Sequence, residues 1–488
     1  MITPEIRIIL VFLMALFASM YVLPKLSRIG MAIGLVDKPA DKRKVHKIPR
    51  PLVGGIAIVI AATFSSLALI PLSGFRGYFL GLAVLLLVGF FDDYKELGHQ
   101  QKFVAQIGAV MLMMYFSRVF LVSFGDILGG GPLSIPNYPW LIWAVTVFCV
   151  IGVINALNMI DGLDGLAGGV SFIAFIVFAI HASLAGDMTL MLLNLALAGA
   201  VLGFLRFNWY PSSVFMGDAG SMCLGFSLAF MALALTQGSG ARVSPVVPLL
   251  VLGVPITDTL TLMGTRIIRG KSPFKADQYH LHHIFMRYGM GRALAVKVIL
   301  GVSALFGGLS LISTIHMVRD WCLFLIFSLY FLIFVVSSIW VVYAMRFNLK
   351  FKQHQGGQKN QFYRISRAVA GKMNIFKIFR KSPRYDVSLA IVCQERERGL
   401  NFSGTVLNIS SDGFMASIPD LDCLLDRVVA RITFPLELEA HAIELPAEHI
   451  WFTENGDVYY HGFRFRDFDG EQEQVVFKFL VKFKKNPH

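Results

Sequence analysis

Apolar stretches of about the same length recur along the first 345 residues, and they decide what this chain can become. A hydrocarbon core of roughly 30 Å takes about 20 residues of helix at about 1.5 Å each. Eleven stretches come close to that length: residues 4–27, 52–71, 77–91, 103–123, 139–157, 167–185, 188–206, 214–236, 244–265, 295–317 and 321–345. The first is longer than a signal-peptide core and lacks a small-residue cleavage site, so it counts as a span. The expected fold class is a polytopic α-helical membrane protein of about eleven transmembrane helices. A composition that is 56% hydrophobic agrees with it.

The net charge of +13 is spread unevenly. Basic residues crowd the loops after the first span (Lys38, Lys42, Arg43, Lys44, Lys47, Arg50), the third (Lys95, Lys102) and the ninth (Arg266, Arg269, Lys271, Lys275, Arg287). The alternate loops hold few. Positive-inside bias then puts the basic set in the cytoplasm, the N-terminus outside and the C-terminus inside, as an odd number of spans requires. Topology and anionic headgroups account for the charge, and no nucleic acid is needed. The five cysteines show no paired spacing, so neither a disulfide framework nor a zinc framework is expected.

The polar residues collect where spans meet the cytoplasmic side. Asn155–Gly169 carries Asn158, Asp161 and Asp164 among glycines; on a helix the two acids would share a face. A flexible linking loop is the plain alternative. The third span ends in Asp92–Asp93, at the helix end that disfavours anions, so a divalent cation or a nearby lysine should compensate them. Lys102 and Gln106 open the fourth span. Asn208, Phe215 and Asp218 lie between the seventh and eighth, and His280, His282, His283 and Arg287 in the loop after the ninth. A transporter would carry polar groups deep inside its spans, and such residues are not expected here.

Beyond Met345, residues 346–384 hold eleven Lys or Arg and no acid, a basic stretch suited to anionic lipid. The pattern then alternates with period two over residues 387–393, 402–409, 414–418, 428–434, 449–452 and 459–465, followed by a helical stretch at 471–484. Six short strands and a helix predict a small cytoplasmic β-barrel. The organisation expected is a membrane domain (1–345), a juxtamembrane linker (346–376) and a barrel domain (377–488).

If the cytoplasmic helix ends form one bowl, Asp92, Asp93, Asp161, Asp164 and Asp218 converge. Two like charges about 4 Å apart repel by roughly 4 kcal/mol even at an effective dielectric near 20. Such a set stays ionised only around a cation, and its oxygens suit Mg²⁺ held with substrate phosphates. Lys102, His280, His282, His283 and Arg287 would hold the rest of a diphosphate. This points to phosphoryl transfer between a nucleotide diphosphate and a lipid. A zinc site at the histidines lacks Cys or acid partners at ligand spacing.

Residues 1–345 resemble the polyprenyl-phosphate N-acetylhexosamine-1-phosphate transferases, the family holding WecA-type and MraY-type enzymes, and lie closer to the WecA type. The likeness rests on Lys44–Gly55, Asp92–Asp93, Lys102–Gln106, Asn155–Gly165, Asn208 with Phe215–Ser221, and the histidine loop, all in the same order. It implies Mg²⁺, with Mn²⁺ as a substitute. It also implies attack of a polyprenyl (undecaprenyl) phosphate on a UDP-sugar, giving a lipid diphosphate sugar and UMP, at the bacterial inner membrane. By the same resemblance Asp218 binds metal, and Asp92 and Asp93 handle the lipid phosphate, Asp92 also the metal. Asn158, Asp161 and Asp164 line the nucleotide pocket, Asn208 contacts the substrate, Phe215 stacks on uracil, and Lys102 with the histidines contacts the diphosphate. Glu96 stands where the family often has Asp, which leaves its role open. The histidine loop favours UDP-GlcNAc or a relative as donor for an envelope glycan; a muramoyl-pentapeptide transferase is the alternative.

Arg380–Arg384 and Asn408–Gly413, with Ser410 between, resemble the two signatures of PilZ domains, which bind cyclic di-GMP. Paired arginines can clamp phosphates and stack on guanine. A catalytically silent membrane receptor for that nucleotide is the alternative from another class. A homo-oligomer is compatible with either.

Overall fold

In this computed structural model the chain divides into two compact units, 1–342 and 343–488. The structure describes residues 3–37, 49–71, 74–237, 242–268, 292–352, 385–395, 401–410, 413–419, 427–436, 439–455 and 458–465, with Gln472, Val475, Val476 and Phe479 beyond them.

The first unit is helical. Its elements are α1 (Pro4–Ile33), β1 (Val36–Asp37), β2 (Arg50–Pro51), α2 (Gly54–Leu69), α3 (Arg76–Lys95), α4 (His99–Ser117), α5 (Pro139–Ile160) and α6 (Leu166–Ala185). After these come α7 (Met188–Asn208), α8 (Gly217–Thr236), α9 (Val247–Val251), α10 (Gly253–Ile268), α11 (Arg292–Ile315) and α12 (Asp320–Lys352).

Every expected span carries a helix, but among the described residues eight, not eleven, are long and apolar enough to cross a membrane. The reasons are local. Helix α2 has only 16 residues. Helix α4 opens on the polar run His99–Gln100–Gln101–Lys102. The ninth stretch breaks at Leu252 into α9 and α10. Deep polar side chains also occur, against expectation. His181 bonds Ser310 and Thr314 across α6 and α11, and Asn194 donates to Leu190 O within α7. Asp258 is buried in α10. Hydrogen bonding between and within helices is the ordinary way such groups are kept in apolar surroundings.

Helix α8 is the hub. Nearly every residue from Ala219 to Thr236 is buried, and the helix packs against α2, α3, α5, α6 and α7. A helix apolar all round belongs inside a bundle. Its first turn is approached at backbone distance: a Cβ on Gly55 would lie 2.1 Å from Gly220 Cα, and one on Gly89 2.3 Å from Ala219 Cα. The segment before it is tied down by main chain, because Phe215 N–H donates to Pro51 O while Gly54 and Gly55 donate to Phe215 O and Met216 O.

The second unit is a closed antiparallel barrel in the order β3-β4-β5-β8-β7-β6, with β6 returning to β3. Its strands are β3 (Tyr385–Glu395), β4 (Asn401–Ser410), β5 (Gly413–Ser417), β6 (Arg427–Leu436), β7 (Glu439–Asn455) and β8 (Val458–Phe465). Alternate residues fill it, such as Leu389, Ile391 and Cys393, or Val428, Ala430 and Ile432. All six expected strands exist. One is much longer than its alternation, since β7 runs back to Glu439 along β6 through Pro446. Full closure leaves no strand edge unpaired.

Gly55→Ala should therefore force α2 off α8, an overpacking cost of roughly 1–3 kcal/mol. The apparent melting temperature in detergent is expected to fall, whereas Gly152→Ala, which meets nothing within 4 Å, should leave it unchanged or higher.

Candidate active site

At one end of the bundle the C-terminal ends of α3, α5 and α7 meet the N-terminal ends of α2, α4, α6 and α8. Asp92 and Asp93 close α3, Lys102 lies in the first turn of α4, Asn158 in the last turn of α5, and Asp218 in the first turn of α8.

These residues bond one another directly. Lys102 Nζ lies 2.5 Å from Asp92 Oδ2 and 2.7 Å from Asp218 Oδ2, so one ammonium bridges two carboxylates. Two anions held that close repel by roughly 3–4 kcal/mol at an effective dielectric near 20, and the lysine is the compensating cation the acidic pair demanded. The other oxygen of each acid is also placed. Asp92 Oδ1 accepts from Leu97 N–H at 2.8 Å, and Asp218 Oδ1 accepts from Asn158 Nδ2 at 2.9 Å. Asn158 also donates to Ser221 Oγ at 2.8 Å. One turn deeper, Asn155 Nδ2 donates to Gln106 Oε1 at 3.0 Å and joins α5 to α4. Asp92 is nearly buried, at 4% exposure, whereas Asp218 at 36% faces outward.

Asp93 does something else. Its Oδ1 accepts from Asp218 N–H at 2.7 Å and its Oδ2 from Ala219 N–H at 3.1 Å. A carboxylate from α3 thus caps the positive end of α8. Gly217, at φ +76, is what lets it in: a Cβ there would lie 2.4 Å from Asp93 Oδ2.

The turn from α5 to α6 holds Asp161 and Asp164. They do not share a helix face, because α5 ends at Ile160 and α6 begins at Leu166. The glycines in Asp161–Gly165 favour a turn, and Gly165 takes φ +79. Burial, with the charges of Asp218 and Asp164 behind it, pushes the Asp161 carboxyl up to about 7. Asp164 Oδ2 accepts from Ser212 N–H at 3.0 Å and from Arg50 Nη1 at 3.5 Å. Arg50 also donates to Ser212 Oγ and lies over the Phe215 ring, 5.1 Å from its centre.

Asn208, expected on the ligand, spends its amide on the protein. Its Oδ1 accepts from Gly165 N–H and its Nδ2 donates to Val214 O, both at 2.9 Å. It joins the Asp161–Gly165 turn to the segment before Phe215. His280, His282, His283, Arg287, Arg380 and Arg384 lie outside the described residues. Sequence reading placed Arg50 within the Lys44–Gly55 stretch without giving it a role of its own, and gave Ser212 none. Glu96 follows α3 at φ +52 and donates its N–H to Asp92 O.

In the barrel, Asn408, Ser410 and Gly413 meet at the β4–β5 turn. Ser410 pairs with Gly413 in register and its Oγ donates to Gly413 O at 3.1 Å. Asn408 Nδ2 reaches Met415 Sδ at 3.8 Å.

Among the described residues no three metal-ligating side chains converge on one point. A cation here would take one or two carboxylates, with its other positions left to phosphate and water. That is how Mg²⁺ is commonly held.

Residues 75–236 match glycosyl transferase family 4, and residues 379–482 match the PilZ domain. A probable undecaprenyl-phosphate N-acetylglucosaminyl 1-phosphate transferase of Bacillus subtilis (strain 168) is 32% identical over 311 residues, 62% of this chain and 83% of that protein. The undecaprenyl-phosphate alpha-N-acetylglucosaminyl 1-phosphate transferase of Escherichia coli O157:H7 is 30% identical over 348 residues, 68% and 92% of the two chains. Its counterpart in Haemophilus influenzae is 33% identical over 316 residues, 62% and 86%.

The two acids of α3 should separate on substitution. Asp93→Asn leaves an amide facing a backbone N–H and should destabilise the protein by roughly 1–2 kcal/mol, within the range for lost helix caps. Asp92→Asn can keep the Leu97 bond, and the repulsion from Asp218 that it removes offsets the amide it turns toward Lys102, so it should melt nearer wild type than Asp93→Asn while losing turnover. Thermal unfolding alongside product release checks both.

Proposed function

The chain belongs to the undecaprenyl-phosphate N-acetylglucosaminyl 1-phosphate transferases of glycosyl transferase family 4, and on that premise we propose that it moves N-acetylglucosamine 1-phosphate from UDP-GlcNAc onto undecaprenyl phosphate, releasing UMP. The observation that carries the reading is the single ammonium of Lys102 between Asp92 and Asp218, at the mouth of gathered helix ends. The names of the relatives favour this donor over a muramoyl-pentapeptide one, and a complete acid–lysine–amide set favours an enzyme over a silent receptor.

In this reading an oxygen of the lipid phosphate attacks the sugar-bearing phosphorus, and the bond from that phosphorus to the bridging oxygen breaks, so UMP departs. Lys102 neutralises negative charge beside the reacting groups, where preorganised donors are worth most. Asn158 fixes the rotamer of Asp218, and Asp93 fixes the backbone that carries it. Asp218 and Asp92 are the residues that would hold Mg²⁺ or Mn²⁺. The ion would supply charge neutralisation to the diphosphate. Asp161, Asp164, Asn208 and Phe215 shape the nucleotide end, and His280, His282, His283 and Arg287 belong to the diphosphate. The site faces the cytoplasm of a bacterial inner membrane, by the positive-inside bias.

We assign residues 1–345 to the transferase domain, 346–376 to the linker and 377–488 to the PilZ domain. Arg380 and Arg384 would clamp the phosphates of cyclic di-GMP, with Asn408, Ser410 and Gly413 as the facing turn.

Purified protein given undecaprenyl phosphate and a panel of UDP-sugars should release UMP with UDP-GlcNAc, and the mass of the lipid product identifies the sugar. EDTA should abolish turnover and Mg²⁺ restore it, while Asp218→Asn stays inactive at any Mg²⁺ concentration; full activity in EDTA would remove the metal role.

Calorimetry on the full chain should show cyclic di-GMP binding that Arg384→Ala weakens more than tenfold, or about 1.4 kcal/mol. No heat from the wild type at high ligand would leave the barrel without this ligand.

A further inference from the structure

Among the described residues two cations are ion-paired to the acidic row, and they are held very differently. At one end Lys102 is clamped by two carboxylates at 2.5 and 2.7 Å. At the other, Arg50 offers one nitrogen, Nη1, to Asp164 at 3.5 Å and to Ser212. The Arg50–Asp164 contact, at 3.5 Å, is about 1 Å longer than the Lys102–Asp92 contact and engages only one guanidinium nitrogen. Nε and Nη2 make no hydrogen bond or ion pair among the described residues. A guanidinium carries five donors in a planar fork matched to phosphate.

The main chain beneath this head, which is held through Nη1 alone, is fixed. Arg50 and Pro51 pair with Asp37 and Val36, and Pro51 O accepts from Phe215 N–H at 3.0 Å. The head itself lies over Phe215, 5.1 Å from the ring centre. Stacked planar groups sit roughly 3.5 Å apart, near van der Waals contact between carbon atoms. A base slipped between ring and guanidinium would need about twice that separation, so a base that takes this face of Phe215 must displace Arg50.

We propose that Arg50 is a donor-recognition latch. In the free protein it covers Phe215 and neutralises Asp164. A nucleoside diphosphate draws the fork off the ring onto its phosphates as the base takes the vacated face. A diphosphate can engage the fork bidentately, whereas Asp164 and Ser212 share its one nitrogen Nη1, so a diphosphate gains contacts at the fork that the free protein leaves unmade. The inference rests on the reading of this site as one that takes a nucleoside diphosphate sugar.

The test titrates UDP and uridine into full-length wild type, Arg50→Ala and Arg50→Lys by calorimetry, with UMP release from UDP-GlcNAc measured in parallel. Arg50→Ala should weaken UDP at least tenfold and raise KM for UDP-GlcNAc in step, with KM for undecaprenyl phosphate unchanged. Uridine should bind as well as before or better, because Arg50 no longer lies over the ring. Arg50→Lys, which keeps the charge without the fork, should fall between. Should Arg50→Ala fail to fold, Arg50→Lys carries the same UDP-to-uridine comparison. Equal losses for UDP and uridine would reduce Arg50 to a prop for the Asp164 turn and overturn the latch, as would unchanged UDP affinity in an active protein. A wild type that binds no UDP and turns over no UDP-sugar would instead sink the reading of the site, and the latch with it.

Discussion

The whole arrangement depends on burying the start of one helix. The first turn of α8 has N–H groups with no partner inside the helix and the positive end of a macrodipole. Placing it at the meeting point of α2 and α3 is tolerable only with an acceptor there and no side chains in the way. Asp93 supplies the acceptor with both carboxylate oxygens, and Gly55, Gly89 and Gly217 supply the space. Once these conditions are met, Asp218 has little freedom left, and Lys102, Asn158 and Asp92 close around it.

The electrostatics follow from that packing. Five carboxylates from three loops and helix ends gather where the two phosphates of the donor and the one of the lipid would also have to sit. Lys102 is engaged by two of them and Arg50 by a third, so the protein's own described cations do not balance the acids. Burial raises the Asp161 carboxyl to about 7, and the charges of Asp218 and Asp164 add to the rise. A bowl of this charge favours the ions that would accompany a diphosphate, and it disfavours a bare anion.

Much of this was legible beforehand, and the reasons differ from residue to residue. Length and apolarity marked the helices because lipid imposes both. Period-two alternation marked the barrel strands because each buries one face. Asp92, Lys102, Asn158 and Asp218 stood out as polar residues in apolar surroundings. What did not show was the division of labour within a pair. Asp92 and Asp93 are adjacent and chemically identical, but successive positions on a helix point about 100° apart, so one meets Lys102 and the other meets the backbone of α8. Asn208 looked like a ligand contact because nothing in a sequence reveals that a glycine N–H 43 positions upstream will take its carbonyl. Arg50 was hidden in a basic loop where any single cation reads as a topology signal. The break between α9 and α10 and the shortness of α2 were hidden too, since hydropathy does not register where a helix stops.

The shortness of α2 has a geometric consequence. Sixteen residues reach about 24 Å at about 1.5 Å each, some 6 Å less than a typical hydrocarbon core. Helix α2 begins beside the acidic row, at Gly54 and Gly55. Either the bilayer thins around it or the floor of the bowl lies below the plane of the surrounding headgroups. Where the bilayer thins, a lipid phosphate arriving from the side meets the carboxylates at its own depth, and the long apolar tail need never leave the hydrocarbon.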